Sequence, residues 1–523
     1  MMNKVFHKIL FILTILILTS VLIQTETKFI ELKPLKGVST PAKKPEFTFE
    51  SYRTNTFQTD VDHYLKDHFG FREWLIPFYN QYAWDFYNKV ENKGIYISKD
   101  NWLFFFEHVQ DYYESLTFKY VKSGEEMATI LENDARKVYL LQEILKDYGT
   151  TLFVCIAPSK NELYPEFLPE NDKYFSQGGI HADDFYVKRF TELGVNFLDL
   201  NTLYKEIKDT VDYPLFYKAA SHYSIIAATY TVDTLIKYME SVSELNIQNI
   251  EFEEPYIDKP IAIDRDIENL LNLMRPIEKT DYYYVHTTTI PDSTAVTPRW
   301  LSIGDSFYWN IRNEETVDEV FNESPFWYYA NTIHYDKHNK WKTKDVDLID
   351  ELVFSDFVML IWCPINIYEL ERNNIINNSL LSLCYDEKYL EKNRQNIITE
   401  IKNSPEWYQS IERQAEKENK NIEETLLNNA NYLLRDPGSN RLTEIKGYDV
   451  PEVRNSRLKT IKKYFENYSK EEIVVIKKIY RNLINDPKSV SAIKEKAERR
   501  NVSFEEAALM DAVYIYNQKY KGE

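Results

Sequence analysis

The stretch Trp300-Leu-Ser-Ile-Gly-Asp-Ser-Phe307 decides how this chain is read. Trp300–Ile303 is a short apolar run that fits a strand buried on both faces, and Gly304 gives the backbone room to turn sharply after it. A serine there, Ser306, lies at the carboxyl end of a strand, the edge where open α/β sheets bind ligands. A helix following Phe307 would aim its free N–H groups at the serine side chain, an arrangement suited to a developing oxyanion.

Working outward, the flanking chain alternates helix and strand. Ala135–Tyr148 has helical periodicity, Gly149-Thr-Thr breaks it, and Leu152–Ala157 is a second buried apolar run. Val187–Leu193 reads as a helix stopped by Gly194, followed by a strand over Val195–Leu198. Ser224–Ser241 is helical and Phe357–Trp362 is a fourth strand. Such alternation with short, glycine-punctuated connections predicts an α/β fold with a doubly wound, mostly parallel sheet. Upstream, Tyr64–Leu75 predicts two helices hinged at Gly70, and Trp102–Phe105 is strand-like.

A nucleophilic serine needs a base. Of the nine histidines, His222 has the best context, in Tyr217-Lys-Ala-Ala-Ser-His-Tyr-Ser224 just before the helix that starts near Ser224. On that feature alone, a polar loop histidine is the commoner outcome. Cys155 and Cys363 sit in or beside apolar runs, Cys384 is distant from both, and an odd, widely spaced set argues against a disulfide framework. No His/Cys grouping has metal-ligand spacing.

The chain has 523 residues, enough for two or three domains. Eighty-two acidic residues against 63 basic ones give a net charge of −19, which disfavours nucleic acid as a partner. The 40 tyrosines and 29 phenylalanines fit sugar-stacking surfaces, although an aromatic-rich core is the plainer reading. At the N-terminus Lys4, His7 and Lys8 precede an uncharged run from Ile9 to Thr25. Lacking a small-x-small cleavage site, it fits an uncleaved membrane anchor better than a cleaved signal. After about residue 383 the chain becomes charged and helical. Residues 403–432 align without gaps to 485–514, with Pro405/Pro487, Ala415/Ala497, Asn419/Asn501 and Tyr432/Tyr514 among the identities. Each copy predicts a helical hairpin opened by proline at the first helical position. Expected boundaries are an anchor over 1–26, a linker over 27–49, the α/β domain over 50–380 and a helical domain over 381–523.

Several blocks, in order from about residue 60 to 375, resemble the alginate O-acetyltransferase family (AlgJ/AlgX-like) of the SGNH-hydrolase superfamily. They are Asp67-His-Phe-Gly-Phe-Arg72, Gly94 to Trp102-Leu-Phe, and Ala157-Pro-Ser-Lys-Asn-Glu-Leu-Tyr-Pro-Glu-Phe-Leu-Pro169. Ser221-His-Tyr-Ser224 occupies the family's D-T-H-W position, and Gly304-Asp-Ser-Phe307 its nucleophile block. The resemblance implies an SGNH-like fold and acetyl transfer to an extracellular or periplasmic polysaccharide. Ser306 would be the nucleophile and His222 the base. No cofactor is implied: a membrane-bound O-acyltransferase partner would supply the acetyl group. The chain departs from the family where the acidic residue two before the histidine is replaced by Ala220. Asp199, at the end of the second strand, is one candidate to replace it. A Ser–His dyad and a catalytically weakened, carbohydrate-binding relative are the other readings, and an O-acetylesterase uses the same chemistry with water as acceptor. Lys160 and Tyr164, in a matched block at a strand end, are candidates to line the cleft. Tyr328, Tyr329 and Asn331 in Phe326-Trp-Tyr-Tyr-Ala-Asn331 are candidates for oxyanion donors or sugar stacking, and Gly304 belongs to the same set; Arg72 reads as a structural ion-pair partner.

Overall fold

The computed structural model describes residues 2–37, 40–115, 124–168, 180–312, 316–335, 340–368, 370–435 and 448–522. Pro169 of the matched block and His338 fall outside them. The centre is a seven-stranded sheet built from β1 (Thr151–Ile156), β2 (Phe197–Asp199), β3 (Trp300–Gly304), β4 (Phe326–Tyr328), β5 (Thr332–His334), β6 (Lys340–Lys342) and β7 (Phe357–Trp362). Its order is β6-β5-β4-β3-β7-β1-β2. The five strands from β4 to β2 run parallel, and β5 and β6 add an antiparallel edge.

Period-two alternation explains the apolar runs. Leu152, Val154 and Ile156 of β1 enter the core on one face with Val358, Leu360 and Trp362 of β7. Phe153 and Cys155 enter the opposite core with Phe357, Met359 and Ile361. Both faces are therefore dry, which is why these strands lack polar alternation. The first core is covered by helices Gly124–Lys146, Ala182–Leu193 and Ile375–Cys384, the second mainly by Ile225–Ser243. Cys155, Cys363 and Cys384 are all free and buried.

Each repeat is larger than the sequence identities indicate. The hairpins Pro405–Glu418/Ile422–Arg435 and Pro487–Arg500/Phe504–Tyr516 are each preceded by a further helix, Glu387–Asn403 and Lys470–Asn485. Asn419 and Asn501 adopt the left-handed conformation at the matching helix ends. The second unit docks on the edge where the parallel strands begin. Lys477 is 1% exposed on its side chain. Its Nζ donates to Ser355 O at 2.9 Å and Thr150 Oγ1 at 3.1 Å, 3.6 Å from Asp356. Arg481 pairs with Glu323 at 3.1 Å, and Arg299 with Glu351 at 2.6 Å. Ser306 lies at the opposite edge.

At the N-terminus the chain is helical over Met2–Thr27. Helices Thr56–His68 and Arg72–Tyr87 flank Gly70 as expected, but Gly70 does not supply a left-handed turn; Phe71 does. Gly70 is needed for close approach, because a Cβ there would lie 2.3 Å from Val21 O. Its N–H donates to Thr25 Oγ1 at 2.7 Å, seating the turn on the end of the first helix.

Candidate active site

The serine turn is held from two sides. A Cβ on Gly304 would lie 1.9 Å from Ile361 O, so glycine is required by the approach of β3 to β7 rather than by the sharp turn expected from sequence. Asp305 is fully buried. One carboxylate oxygen accepts from Phe307 N at 3.0 Å; the other accepts from Cys363 N and Asn366 Nδ2, both at 2.9 Å. The middle residue of Gly-Asp-Ser thus ties the turn to the end of β7 and leaves Ser306 facing outward. It also occupies the Phe307 N–H, and the following helix, Tyr308–Arg312, is a single short turn. The expected array of helix N–H groups around Ser306 is accordingly reduced.

His222 is placed by its neighbours. Tyr223 is buried; its hydroxyl donates to Phe307 O at 2.9 Å, and Asn310 Nδ2 donates to Tyr223 O at 2.6 Å. Ser224 caps helix Ile225–Ser243. Between these restraints, His222 Nε2 lies 2.9 Å from Ser306 Oγ, and its ring packs 4.7 Å from that of Phe307.

The other ring nitrogen finds a carboxylate. His222 Nδ1 is 2.5 Å from Asp266 Oδ2. Asp266 opens helix Asp266–Leu270 and also accepts from Ser221, through its N–H at 2.7 Å and its hydroxyl at 2.5 Å. Glu268 N donates to Ala219 O at 3.2 Å, fastening this helix to the histidine loop. Burial alone would raise the Asp266 carboxyl, but the facing His222 ring and the two Ser221 donors outweigh it and hold it below the ordinary value. With Asp266 ionised and accepting from Nδ1–H, Nε2 is free to accept from the Ser306 hydroxyl.

Sequence reasoning missed Asp266. Its candidate, Asp199, instead caps helix Leu200–Ile207, accepting from Thr202 N at 3.0 Å and Thr202 Oγ1 at 2.6 Å. Asp266 stands in Asp264-Arg-Asp-Ile-Glu268, an ordinary acidic segment in an acidic chain; its position at a short helix start within the His222–Ser306 interval is the only signal that could have raised it.

Other expected site residues have structural roles. Lys160 does not line the cleft. It is 3% exposed, and its Nζ donates to three carbonyls, Leu103 O at 2.8 Å, Lys218 O at 2.8 Å and Ala220 O at 2.7 Å, which holds the loop before His222. Tyr164 packs on Trp102 at 4.6 Å under the Lys208 ammonium. Tyr328 pairs with Gly304 in the sheet and packs beside Trp309. Asn331 is exposed in the turn after β4, where its amide oxygen accepts from Lys342 at 3.5 Å. Tyr329 and Ala330 take left-handed backbone there, and Arg372 lies over the Tyr329 ring. Arg72 pairs with Asp67 at 3.4 Å, as expected. Among the described residues no group of three His, Cys, Asp or Glu side chains is placed to hold a metal.

A cleft of about 380 Å³ opens beside the serine, where Phe307 follows β3, Cys363 follows β7 and Ser159 follows β1. His108, on another wall, is pushed down to about 4 by burial and by the nearby His222 and Lys160, with Asp266 opposing. It is therefore neutral near pH 7.

Residues 95–294 match the family model described as SGNH hydrolase-like domain, acetyltransferase AlgX. Similar solved structures include the O-acetyltransferase domain of Pseudomonas putida AlgJ, at 16% identity over 53% of this chain and 92% of that one, TM-score 0.34. Pseudomonas aeruginosa AlgX is 13% identical over 51% of this chain and 61% of that one, TM-score 0.33. Bacillus cereus PatB1 is 11% identical over 54% and 98%, TM-score 0.33. No curated protein matches the sequence.

Proposed function

We propose, from the premise that residues 95–294 form an SGNH hydrolase-like domain of the acetyltransferase AlgX family, that this protein is a polysaccharide O-acetyltransferase working through a Ser306 acyl-enzyme. The hydrogen-bonded series Ser306–His222–Asp266 carries the reading. Ser306 Oγ attacks the acetyl carbonyl of the donor while His222 Nε2 takes its proton. Collapse of the tetrahedral intermediate expels the donor oxygen, which receives that proton, and leaves acetyl-Ser306. An acceptor hydroxyl then attacks the ester, gives its proton to His222, and Ser306 leaves with it. Asp266 keeps Nδ1 protonated and stabilises the imidazolium formed in each half. The Ser306 N–H has no hydrogen-bond partner among the described residues and is a candidate donor to the developing oxyanion.

Asp266 supports an active enzyme over a weakened sugar-binding relative, because it fills the role vacated at Ala220. An esterase differs only in that water takes the place of the acceptor hydroxyl.

The same reading places the protein on the outer face of the cytoplasmic membrane, tethered by its first helix. Val5–Thr27 is long and apolar enough to span, with mean hydropathy 2.3. The Gly70 turn sits on its outer end, so helix Arg72–Tyr87 starts there. Trp74, Phe78, Tyr82 and Phe86, spaced four apart on that helix, are all exposed, a composition suited to the headgroup region.

The test is acetyl transfer from 4-nitrophenyl acetate to polysaccharide oligomers by the detergent-solubilised chain. Acceptor-dependent acetyl-oligomer formation that disappears in Ser306→Ala supports the transferase; acetate release with no acetylated oligomer in any acceptor class favours the esterase.

A further inference from the structure

The cleft beside Ser306 has a charge character of its own. Among the described residues four acidic side chains, Asp111, Glu162, Asp183 and Asp184, line it with one lysine, Lys205. The Lys205 ammonium lies 2.6 Å from Glu162, so it neutralises that carboxylate and offers little attraction to an incoming anion. Among these carboxylates Asp183 is only 8% exposed.

A second, independent feature points to a ligand. Asn161 lines the same cleft, is 3% exposed, and its amide Nδ2 has no hydrogen-bond partner among the described residues. A buried amide donor without a partner costs stability unless something in the cleft accepts from it. A sugar hydroxyl or ring oxygen is such an acceptor.

We propose that this cleft is the acceptor subsite and that it takes a polymer of amino sugars carrying free ammonium groups rather than a uronate polymer, with Asn161 donating to a sugar oxygen and Asp183 and Asp184 facing the ammonium. The inference rests on the acyltransferase reading and adds the acceptor's chemical class. Like charges crowded into a partly dry cleft repel a uronate, whereas each carboxylate attracts an ammonium. The same crowding is visible in Asp183, raised to about 8 by burial and by the neighbouring Glu162, Asp184 and Asp111 carboxylates; it is largely the neutral acid near pH 7, and an ammonium beside it favours its ionised form. An ammonium held there stays protonated and cannot act as the nucleophile. The acetyl group therefore goes to a hydroxyl: the acceptor oxygen bonds the acetyl carbon, the bond to Ser306 Oγ breaks, and the hydroxyl proton passes through His222 to Ser306.

The experiment has two arms on the full chain in detergent. In the first, 4-nitrophenyl acetate is the donor, and acceptors are oligomers of glucosamine, of N-acetylglucosamine and of mannuronate. The expected result is base-labile acetylation of glucosamine oligomers with kcat/KM at least tenfold above both others. In the second, binding of the same oligomers to Ser306→Ala is measured by calorimetry, which needs no catalysis. Glucosamine oligomers should bind at least tenfold more tightly than mannuronate. Asp184→Asn, a change at an exposed position, should weaken glucosamine binding severalfold and narrow that preference. Equal or tighter binding of mannuronate, or equal binding of the N-acetylated oligomer, overturns the subsite even if ester turnover by Ser306 is normal. Absence of turnover together with preferential glucosamine binding overturns the enzyme reading and leaves the subsite standing as a binding site.

Discussion

Asp266 Oδ2 lies 2.5 Å from His222 Nδ1, although the two residues come from different loops and no motif joins them. Ala220 stands two residues before the histidine, and the carboxylate arrives from a short helix that Ser221 and Ala219 tie to the same loop.

That relationship predicts the outcomes of two carboxylate changes. Asp266→Asn keeps the shape but removes the group that fixes the tautomer. Its kcat on 4-nitrophenyl acetate should fall by about 10²- to 10⁴-fold. Ala220→Asp should restore nothing in that background and should destabilise the native chain. Ala220 is fully buried and adjoins Ser221, so a second carboxylate would be forced into a closed site near Asp266. Steady-state rates and thermal melts of the three proteins check both statements.

A pH dependence follows from His108. Its folded value lies near 4 against an ordinary 6.5. Between those values the unfolded chain binds a proton at this residue and the folded chain does not. Stability therefore falls as pH drops from about 6.5 towards 4, and is restored as pH rises. His108→Gln should flatten the melting temperature across that window; an unchanged slope would mean the ring is not held neutral by its surroundings.

Gly304→Ala should be among the most damaging single changes in the chain. The added methyl meets Ile361 O across two central parallel strands, and neither strand can move without disturbing the Asp305 bonds. A loss of about 3 kcal/mol or more is expected, read as the shift of the denaturant midpoint.

The aromatic face of helix Arg72–Tyr87 should bind lipid on its own. A chain lacking residues 1–27 is expected to associate with phosphatidylglycerol-containing vesicles, with a blue shift of Trp74 emission. Replacing Trp74, Phe78, Tyr82 and Phe86 by serine should abolish co-sedimentation. Persistence of binding in that variant would assign membrane contact to another surface, and no binding by the parent would mark the face as a protein-docking site instead.

What could be read from sequence, and what could not, follows the range of the forces involved. Strands β1, β3 and β7 were legible because burial on both faces leaves continuous apolar runs, and Ser306 and His222 because each stands next to a regular element. Strands β5 and β6 were not: Lys340-Trp-Lys342 has no apolar run, and its pairing is set by the neighbouring edge. The third helix of each repeat escaped notice because its two copies do different work. Where the second carries Lys477 and Arg481, which anchor it to the sheet, the first has Gln395 and Thr399. The matched lysine was legible as a motif residue, but not as the clip under Ala220 O that Lys160 proves to be. Asp266 was the hardest, since its role depends only on where folding brings it.

The most direct test is acid-quenched mass spectrometry of the protein after brief exposure to 4-nitrophenyl acetate. The account predicts a single acetyl group on the peptide bearing Ser306, absent in Ser306→Ala and strongly reduced in His222→Ala. Acetyl groups found only on lysines or other serines, with ester turnover unchanged in Ser306→Ala, would contradict it.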